Sequence, residues 1–330
     1  MNQYKNRLRK TVLTAFILMC TCLVMGQQIN GSIYIARYRG DRQCAISYTF
    51  DDGYTEQLTI ACTELEKRGF RGTFGINGSK INADTKNKVD TTRMSWEEVR
   101  EMSRRGHEVT NHGWAHRNFA RFPIEVIKED IRKNDSAIYA VTGIMPRTFL
   151  YPNNNKKAEG RREAEKNRVG TRLFQRSFGS KATRENLHDW VDKLLKNQDW
   201  GVTMTHGLNY GYDAFTPKKL HLFGEHLDEV KAAEDKIWVG TLKEVWAYKR
   251  EYEETRISTE YKDSRTFIVT PASNLDATLF DEPLTLVIKR KGVKKVKAKQ
   301  NNRKCKVQIT ADKVLIDFMP SNGKIKIKMQ

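Results

Sequence analysis

Apolar, β-rich runs alternate with helical patterns along residues 44–253, and few folds accommodate such an alternation over so long a stretch. The first run, Cys44 to Phe50, ends at the turn sequence Asp51-Asp52-Gly53 and is followed by helical spacing of apolar residues. Strand-like and helix-like segments then succeed one another about six or seven times. Parallel strands joined by crossover helices produce this order. We therefore predict an α/β fold whose strands form a closed or partly closed barrel.

Capping residues and periodicity set the expected limits of individual elements. Ser95, with Glu98 three residues later, has the capping-box pattern and predicts that a helix begins there. Thr216-Pro217 predicts a second helix start, and His221 and His226 are expected on a polar, solvated helix. Strands of this region are expected at Arg71–Ile76, His107–Asn111, Arg147–Tyr151, Val169–Phe174, Gly201–Thr205 and Ile237–Val239.

Beyond Glu254 the pattern changes to alternation with period two. Turn residues such as Asn322-Gly323 separate the alternating segments, as in an all-β unit. We predict a barrel region over residues 27–256 and a small β-rich region over 257–330. The expected strands of the second region are Phe267–Thr270, Leu284–Lys289, Lys304–Ile309, Val314–Phe318 and Lys324–Lys328.

The N-terminus has the residue pattern of a secretory signal peptide. Basic residues between Lys5 and Lys10 precede an apolar run, Thr11 to Val24, and Gly26 gives a small residue before the expected cleavage point. The apolar run is short for a membrane span. We predict a signal peptide over residues 1–26, export to the periplasm or the outside, and no stable membrane span after cleavage. An uncleaved anchor is the alternative.

The cysteines do not form a complete disulfide framework. Cys20 and Cys22 lie in the signal region and lack the preceding small residue that lipidation requires. Cys44, Cys62 and Cys305 then remain, and an odd number cannot pair fully. Cys44 and Cys62 have apolar neighbours in the sequence, so buried thiols or one bridge are expected.

Positive charge is concentrated near the C-terminus. The chain has 59 Lys and Arg against 40 Asp and Glu. Between Thr285 and Lys306 all charged residues are basic. The stretch is either a contact for an anionic polymer or surface, or a solvated hairpin edge whose lysines prevent strand pairing; the second interpretation is favoured. Nucleic acid is not an expected partner, because no aromatic residues interleave with these charges.

Carboxylates and histidines follow several of the predicted barrel strands. Asp51 and Asp52 end the first strand, His112 and His116 follow the third, and His206 follows the strand near residue 204. In such barrels the carboxyl ends of the strands form the site. Two histidines at this spacing and one carboxylate suit a catalytic metal.

The spacing also assigns roles to these side chains. Neighbouring residues point in different directions, so one of Asp51 and Asp52 is expected to bind the metal and the other to act as a general base. His206 could protonate a leaving group. Metal, base and acid together indicate metal-assisted hydrolysis of an acyl bond.

Four short segments resemble the motifs of one known family. Thr49 to Gly53 (TFDDG) and Asn111 to His116 (NHGWAH) are similar to the first two motifs of the NodB-type polysaccharide deacetylases, carbohydrate esterase family four. Phe149 to Asn153 (FLYPN) and Met204 to His206 (MTH) are looser matches to two later motifs. The resemblance extends over about residues 40–253.

The resemblance implies a distorted (β/α)7 barrel that removes acetyl groups from glycans. It implies that Asp51 is the base and His206 the acid. It implies one divalent metal, with zinc favoured and cobalt or nickel as alternatives, held by Asp52, His112 and His116. A backbone N–H near Asn153 would bind the oxyanion, Met204 would line the acetyl pocket, and further substrate contacts would come from Tyr151 and Trp114.

One departure from the family concerns the base. Many members have an arginine in the third motif that orients it, and Leu150 stands at that place here. Arg147 and Arg172 are both candidate replacements. A convincing fourth motif is also missing, because Asp189-Trp190 falls in a predicted helix.

These expectations combine into one functional hypothesis. The chain is predicted to be an exported, metal-dependent hydrolase that removes acetyl groups from N-acetylated sugars, in peptidoglycan or a chitin-like polymer. An acetylated glycan is the expected partner, with a contact of residues 285–306 to an anionic surface as a further candidate. The alternatives are an O-acetyl esterase of the xylan type and a glycan-binding pseudoenzyme on the same barrel.

Overall fold

The computed structural model describes residues 33–81, 84–85, 88–89, 92–263 and 265–330. The predicted signal peptide, with Cys20 and Cys22, lies outside the described residues. The strands of the first part are β1 (Ile33–Ile35), β2 (Cys44–Ser47), β3 (Thr49–Asp51), β4 (Thr73–Ile76), β5 (Asp84–Thr85), β6 (Lys88–Val89), β7 (Glu108–Asn111), β8 (Arg176–Ser177), β9 (Trp200–Met204) and β10 (Ile237–Val239).

Eight further strands and seven α-helices complete the described part of the chain. The strands are β11 (Arg256–Tyr261), β12 (Thr266–Ala272), β13 (Leu284–Lys289), β14 (Val296–Gln300), β15 (Arg303–Lys304), β16 (Val307–Ile309), β17 (Lys313–Phe318) and β18 (Ile325–Met329). The helices are α1 (Thr63–Lys67, preceded by a π-helical turn at Gln57–Cys62), α2 (Trp96–Arg104), α3 (Ile124–Thr142), α4 (Ala158–Ala164), α5 (Arg184–Asn197), α6 (Leu220–Ala232) and α7 (Leu242–Glu254).

Parallel strands form the barrel, as the alternation predicted. One set has the order β10-β2-β9-β8 and another the order β3-β4-β7. The sets join because β2 and β3 follow one another directly, and a parallel bridge links Phe50 to Thr205. A second bridge links Asn111 to Phe149, and the Arg172 N–H donates to the carbonyl of Phe149 at 2.9 Å. This arrangement confirms the predicted α/β barrel.

Helices cover the barrel and begin at capping residues. The Ser95 side chain accepts a hydrogen bond from the N–H of Glu98, and the Glu98 carboxylate accepts one from the N–H of Ser95. The predicted capping box is therefore confirmed. Thr183 and Thr241 form the same box at α5 and α7. At the other end of α3, Gly143 adopts φ 71°, a left-handed conformation that ends the helix.

Three predicted elements of the barrel region differ in the structure. The strand expected at Val169–Phe174 is wrong, because these residues form no strand and regular pairing begins only afterwards, at β8. Arg147–Tyr151 contributes the single bridge at Phe149 rather than a strand. The helix expected from Thr216-Pro217 begins at Leu220, since Thr216 has φ 67° and cannot start a right-handed helix.

Antiparallel strands after residue 255, together with β1, form two sheets that face each other. Their orders are β1-β13-β17-β16 and β11-β12-β18-β14-β15. Side chains of both sheets share one apolar cluster, which also includes Trp238 and Tyr248 from the barrel region. The short strand β1 pairs with β13, Ile33 opposite Ile288. The strand before the barrel therefore lies in the β-sandwich, although the sequence placed it in the barrel region.

Two further findings concern membranes and thiols. No helix in the described ranges combines enough length and apolar character to cross a bilayer. Cys44, Cys62 and Cys305 are all free thiols, and the first two are buried, as expected. Burial raises the pKa of Cys44 to about 12, so this thiol is unreactive at neutral pH.

Candidate active site

Two adjacent carboxylates leave the end of β3 in different directions. Asp51 is the last residue of the strand, whereas Asp52 has φ 77° and begins the turn that Gly53 continues with φ 68°. Left-handed backbone at a non-glycine residue is uncommon and is often found at functional sites. Oδ1 of Asp52 lies 3.6 Å from Nε2 of His112 and 3.7 Å from Nε2 of His116. Asp52 therefore approaches both histidines, whereas Asp51 approaches only His112, with its Oδ2 3.7 Å from Nε2 of that ring.

A backbone carbonyl orients the first histidine. Nδ1 of His112 is 2.8 Å from the carbonyl oxygen of Leu150, and a carbonyl can only accept, so Nδ1 carries the proton. The lone pair of Nε2 then faces Asp52 and His116, which is the arrangement found in metal-binding histidines. Leu150, at the position of the family arginine, thus has a structural role through its main chain.

Hydrogen bonds from neighbouring segments hold the loop between the two histidines. Asn77 Nδ2 donates to the carbonyl of Gly113 at 2.9 Å, and Asp130 Oδ1 accepts from the N–H of Ala115 at 2.9 Å. Gly113 has φ 75°, and a Cβ there would lie 2.7 Å from Oδ2 of Asp130. His116 itself has φ 53°. The two histidines therefore lie on a tight loop, not on a helix.

The three side chains have the properties of a divalent cation site. Their ligand atoms all lie within 4.8 Å of one another. Oδ1 of Asp52 and Nε2 of His112 are buried and have no hydrogen-bond partner in the described part of the chain. Buried polar atoms without partners are costly, and a cation would satisfy both. One carboxylate and two imidazoles are a donor set that zinc and similar ions accept.

The protonation states of the two histidines and of Asp52 suit the binding of a cation. Burial and the nearby His112 together lower the pKa of His116 to about 4. Burial also lowers the pKa of His112, although Asp51 and Asp52 oppose the shift. Both imidazoles are therefore neutral near pH 7, as metal ligands must be. Burial raises the pKa of Asp52, but His112 and Lys80 lower it by more, so the carboxylate is ionised.

Arg172 is the partner of the remaining carboxylate. Its guanidinium donates to Oδ1 of Asp51 at 2.6 Å and to Oδ2 at 2.5 Å, and it also donates to Thr49 Oγ1 at 2.8 Å. The other candidate, Arg147, instead donates to the carbonyl of Thr278. Burial raises the pKa of Asp51, but Arg172 and His112 lower it by more, and the net pKa lies well below the usual range.

The opposite wall comes from the end of β9. The His206 ring lies 5.0 Å from the Tyr212 ring, edge to face, and the Met204 sulfur is 3.0 Å from Nε2 of Gln175. Nε2 of Gln57 donates to the carbonyls of Asp51 and His206, at 2.6 Å and 2.8 Å. Gln57 therefore ties the two strand ends together.

The predicted residues converge on one cavity. Asn153 has φ 55°, and the hydroxyl of Tyr151 donates to Thr171 Oγ1 at 3.0 Å. The cavity has a volume of about 470 Å3 and is lined by Asp51, Asp52, His112, His116, Tyr151, Asn153, Asn154, Arg172, Gln175, Met204, His206 and Tyr212.

A comparison with protein families identifies this region. The polysaccharide deacetylase family model matches residues 39–170, which include Asp51, Asp52, His112 and His116. This segment is therefore similar to the polysaccharide deacetylase family. The predicted resemblance to the NodB type is thereby confirmed.

Individual relatives agree with the family. Peptidoglycan-N-acetylmuramic acid deacetylase PdaA of Bacillus subtilis is 26% identical over 192 residues, which cover 57% of this chain and 62% of that protein. Peptidoglycan-N-acetylglucosamine deacetylase PgdA of Listeria monocytogenes is 26% identical over 108 residues, covering 32% of this chain and 21% of that protein. The chain thus spans less than two thirds of the length of either relative.

A solved structure shows the same fold. A crystal structure from Mycobacterium smegmatis, assigned as a polysaccharide deacetylase, has a TM-score of 0.52 to this chain. The sequences are 14% identical, and the match covers 66% of this chain and 94% of the other. The fold of the NodB-type barrel is therefore shared, which confirms the predicted fold class.

One predicted site residue does not line this cavity. The expectation that Trp114 faces the substrate is wrong, because its ring contacts Gly78 and lies 4.2 Å from Nζ of Lys133. It lines a separate groove with Glu125 and Asp130. The positive φ of Gly113 turns the chain between the two histidines.

Sequence patterns assign no role to Gln175, which lines this cavity, or to Gln57, which ties the two strand ends together. Gln175 follows the predicted strand Val169–Phe174. Gln57 reads only as the first residue of a helix. No local pattern distinguishes these residues, since their roles depend on distant strand ends that the barrel brings together.

Proposed function

We propose that this chain is an exported, metal-dependent deacetylase that hydrolyses N-acetyl groups of peptidoglycan-type amino sugars. The observation that carries the proposal is one cavity that holds an ionised, arginine-bound Asp51 beside the donor set of Asp52, His112 and His116. His206 on the opposite wall adds a group that can donate a proton. Base, ion site and acid are the parts that acyl hydrolysis requires.

A divalent ion held by Asp52, His112 and His116 would polarise the acetyl carbonyl and make an adjacent water more acidic, and zinc, cobalt and nickel all suit this donor set. Asp51 accepts the proton of the attacking water. Arg172 keeps Asp51 ionised and fixes both of its oxygens, so the carboxylate does not rotate away.

The other wall handles the leaving group. His206 donates a proton to the amine nitrogen as the bond to the acetyl carbon breaks. Asn153, in the turn after Phe149, lines the cavity, and a backbone N–H of this turn would stabilise the oxyanion. Met204 gives an apolar surface for the acetyl methyl group. Release of acetate and a free amine completes the balance.

The substrate class is supported by the names of the relatives. Both PdaA of Bacillus subtilis and PgdA of Listeria monocytogenes are named for deacetylation of peptidoglycan amino sugars. An amide substrate is therefore proposed over an acetyl ester, although both reactions would use the same side chains. The signal-peptide pattern before residue 27 supports export to the compartment that holds this polymer.

Acetate release tests the proposal. The chain without its predicted signal peptide is incubated with peptidoglycan, N-acetylglucosamine oligomers or acetylated xylan, with chelator or with added zinc. We expect chelator-sensitive release from the amino-sugar substrates. Asp51→Asn is the matched control, since it should retain bound metal and lose acetate release.

The other results have definite meanings. Release from acetylated xylan alone would replace the amide hypothesis with the esterase. No release from any substrate, with a stoichiometric metal bound, would contradict catalysis and favour a glycan-binding role.

A further inference from the structure

Five lysines form a continuous array on one face of the β-sandwich. In the sheet β11-β12-β18-β14-β15, Lys297 lies opposite Lys328 and Lys299 lies opposite Lys326. Lys304 of β15 lies opposite Lys299 on its other side. Directly opposed residues point to the same face of a sheet, and all five side chains are exposed. We call Lys297, Lys299, Lys304, Lys326 and Lys328 the lysine face.

The remaining residues of these strands show that the array is the outer surface. Ala298, Ile325 and Ile327 alternate with the lysines and are buried in the core shared with the other sheet. On the neighbouring strand β12, the residues paired with Lys328 and Lys326 are Thr266 and Ile268. The outer face thus places cations side by side over a continuous apolar core.

Protection of a sheet edge does not explain this array. That interpretation applies to edge strands, whose unpaired backbone must be kept from other chains. Strand β18 is paired on both sides, with β12 and with β14, so Lys326 and Lys328 lie in the interior of the sheet. Like charges opposite one another are unfavourable, and none of the five has a carboxylate within ion-pair distance in the part of the chain that the structure describes. An external anion would remove the repulsion.

The geometry of the array favours a planar partner. Neighbouring strands are about 4.8 Å apart and alternate residues along a strand about 7 Å apart, so the cations form a two-dimensional grid, not a line. No aromatic residue stands among the outward positions of β14 and β18, which leaves nothing to stack on bases or sugar rings. A bilayer surface with anionic headgroups offers a matching plane of charge.

Further cations lie close to this region. Ile33 pairs with Ile288, so the chain enters β1 beside Lys289, whose Nζ lies 5.6 Å from the ring of Tyr34. The loop after Lys289 leads to β14, and its residues 294 and 295 bond to the end of β18 at Gln330.

From this arrangement we propose that the lysine face docks on an anionic lipid surface. The β-sandwich then holds the chain at the membrane through charge alone, while the barrel carries out its own reaction. The proposal does not depend on the proposed deacetylase activity, because the lysine face shares no residue with the active-site cavity. Binding of this kind should be reversible and sensitive to salt.

Vesicle co-sedimentation of the chain without its predicted signal peptide tests the proposal. The vesicles contain phosphatidylcholine alone or with about 30% phosphatidylglycerol, in about 0.05 M or 0.5 M salt. We expect binding only to the anionic vesicles at low salt. Each lysine near such a surface contributes roughly fivefold in affinity, so Lys297→Gln, Lys299→Gln, Lys326→Gln and Lys328→Gln together should weaken binding about a hundredfold or more.

A matched variant controls for net charge. Lys193→Gln, Lys196→Gln, Lys218→Gln and Lys236→Gln remove the same charge from exposed positions of the barrel region and should leave vesicle binding within about threefold. Circular dichroism and thermal unfolding check that both variants fold.

Three outcomes would overturn the proposal. In the first, the wild-type chain ignores anionic vesicles at low salt. In the second, both quadruple variants lose the same affinity. In the third, the chain binds a soluble polyanion such as polyphosphate but not the vesicles, which would assign the lysine face to an anionic polymer.

Discussion

The guanidinium of Arg172 lies 2.6 Å and 2.5 Å from the two carboxylate oxygens of Asp51, and both side chains are almost fully buried. The pair joins residues 121 positions apart. We propose that Arg172 orients Asp51, as the sequence motif would otherwise assign to an arginine at the position of Leu150. A buried ion pair of this geometry keeps its carboxylate ionised at the cost of being intolerant to the loss of either partner.

Replacing Arg172 should therefore affect both activity and stability. In Arg172→Met, Asp51 becomes a buried charge without a partner, so we expect the free energy of unfolding to fall by about 3–5 kcal/mol. We expect kcat/KM for acetate release to fall about 100-fold or more. Urea denaturation and steady-state kinetics measure the two effects.

Two further variants separate the pair from general damage. The double variant Asp51→Asn with Arg172→Met removes both charges and should regain most of the lost stability. Arg147→Met, which loses only a bond to the carbonyl of Thr278, should keep nearly full activity. Equal loss of activity in Arg147→Met and Arg172→Met would contradict the assignment.

The donor set of Asp52, His112 and His116 predicts a specific loss of metal affinity. His116→Ala should weaken binding of zinc about 100-fold or more, because only two ligands remain. Isothermal titration with the metal-stripped protein measures this. Asp51→Asn is the control, since Asp51 lies outside the donor set, and its affinity should change little. Tight stoichiometric zinc in His116→Ala would disprove the site.

The buried carboxyl group of Glu251 should lower the free energy of unfolding in mild alkali. Glu251 lies on α7, where its Oε2 accepts from the N–H of Glu282 at 3.1 Å. Burial, together with the nearby Glu282 and Asp281, raises its pKa to about 8. The unfolded chain loses this proton near pH 4.5, so the stabilisation is present below that pH and is lost as the pH rises to about 8.

Glu251→Gln should remove this pH dependence. At pH 8 we expect the variant to be more stable than the wild-type chain by about 2–4 kcal/mol, and at pH 4.5 we expect little difference. The exposed Glu253→Gln serves as control, with no comparable gain at pH 8. Denaturant midpoints at the two pH values measure the effect, and a gain equal at both pH values would refute the explanation.

His226 predicts a separate loss of stability in acid. Its Nε2 is 2.9 Å from the hydroxyl of Tyr48, and burial, with Arg176, lowers its pKa to about 3. The folded state excludes a proton that the unfolded chain takes up below pH 6.5, so stability falls as the pH decreases from 6.5 towards 3. Between pH 7 and 4.5 the loss from this group is about 2–3 kcal/mol.

His226→Gln should keep a hydrogen bond to Tyr48 but remove the titration. Its stability should therefore decline less between pH 7 and 4.5 than that of the wild-type chain, as measured by urea unfolding. His221→Gln changes an exposed residue of the same helix and should leave the decline unaltered. A decline unaffected by His226→Gln would show that other groups dominate acid unfolding.

The sequence predicted the parts of the site that local patterns determine. Asp51, Asp52, His112 and His116 follow strands whose carboxyl ends meet in any parallel barrel, so their convergence required no knowledge of the loops. The sequence left Arg172 as one of two candidate partners of Asp51. It could not decide between them, because the contact depends on how an irregular segment crosses the barrel. Trp114 was misplaced for a similar reason, since the turn at Gly113 decides which side the ring faces.

Local sequence patterns also could not predict the burial of one histidine or the pairing of strands that are far apart in the chain. His226 was expected in solvent, but it is 2% exposed beneath Tyr48, because the helix around it has few polar residues on that side. The three-residue strand β1 is too short to show a period, and its partner β13 lies about 250 residues away. Lys326 and Lys328 alternate with isoleucine visibly in the sequence, but only the register places them beside Lys297 and Lys299.

The pairing of β1 with β13 sets the order in which the protein can mature. The first described strand finds its partner only after nearly the whole chain has been made, so closure of this large loop comes late in folding. Until then, Tyr248 of α7 lacks its hydrogen bonds to Ala36 and Thr285, and the apolar side of the helix stays exposed. Premature termination anywhere before residue 284 would therefore leave the barrel with an uncovered apolar surface, and such fragments should aggregate or be degraded.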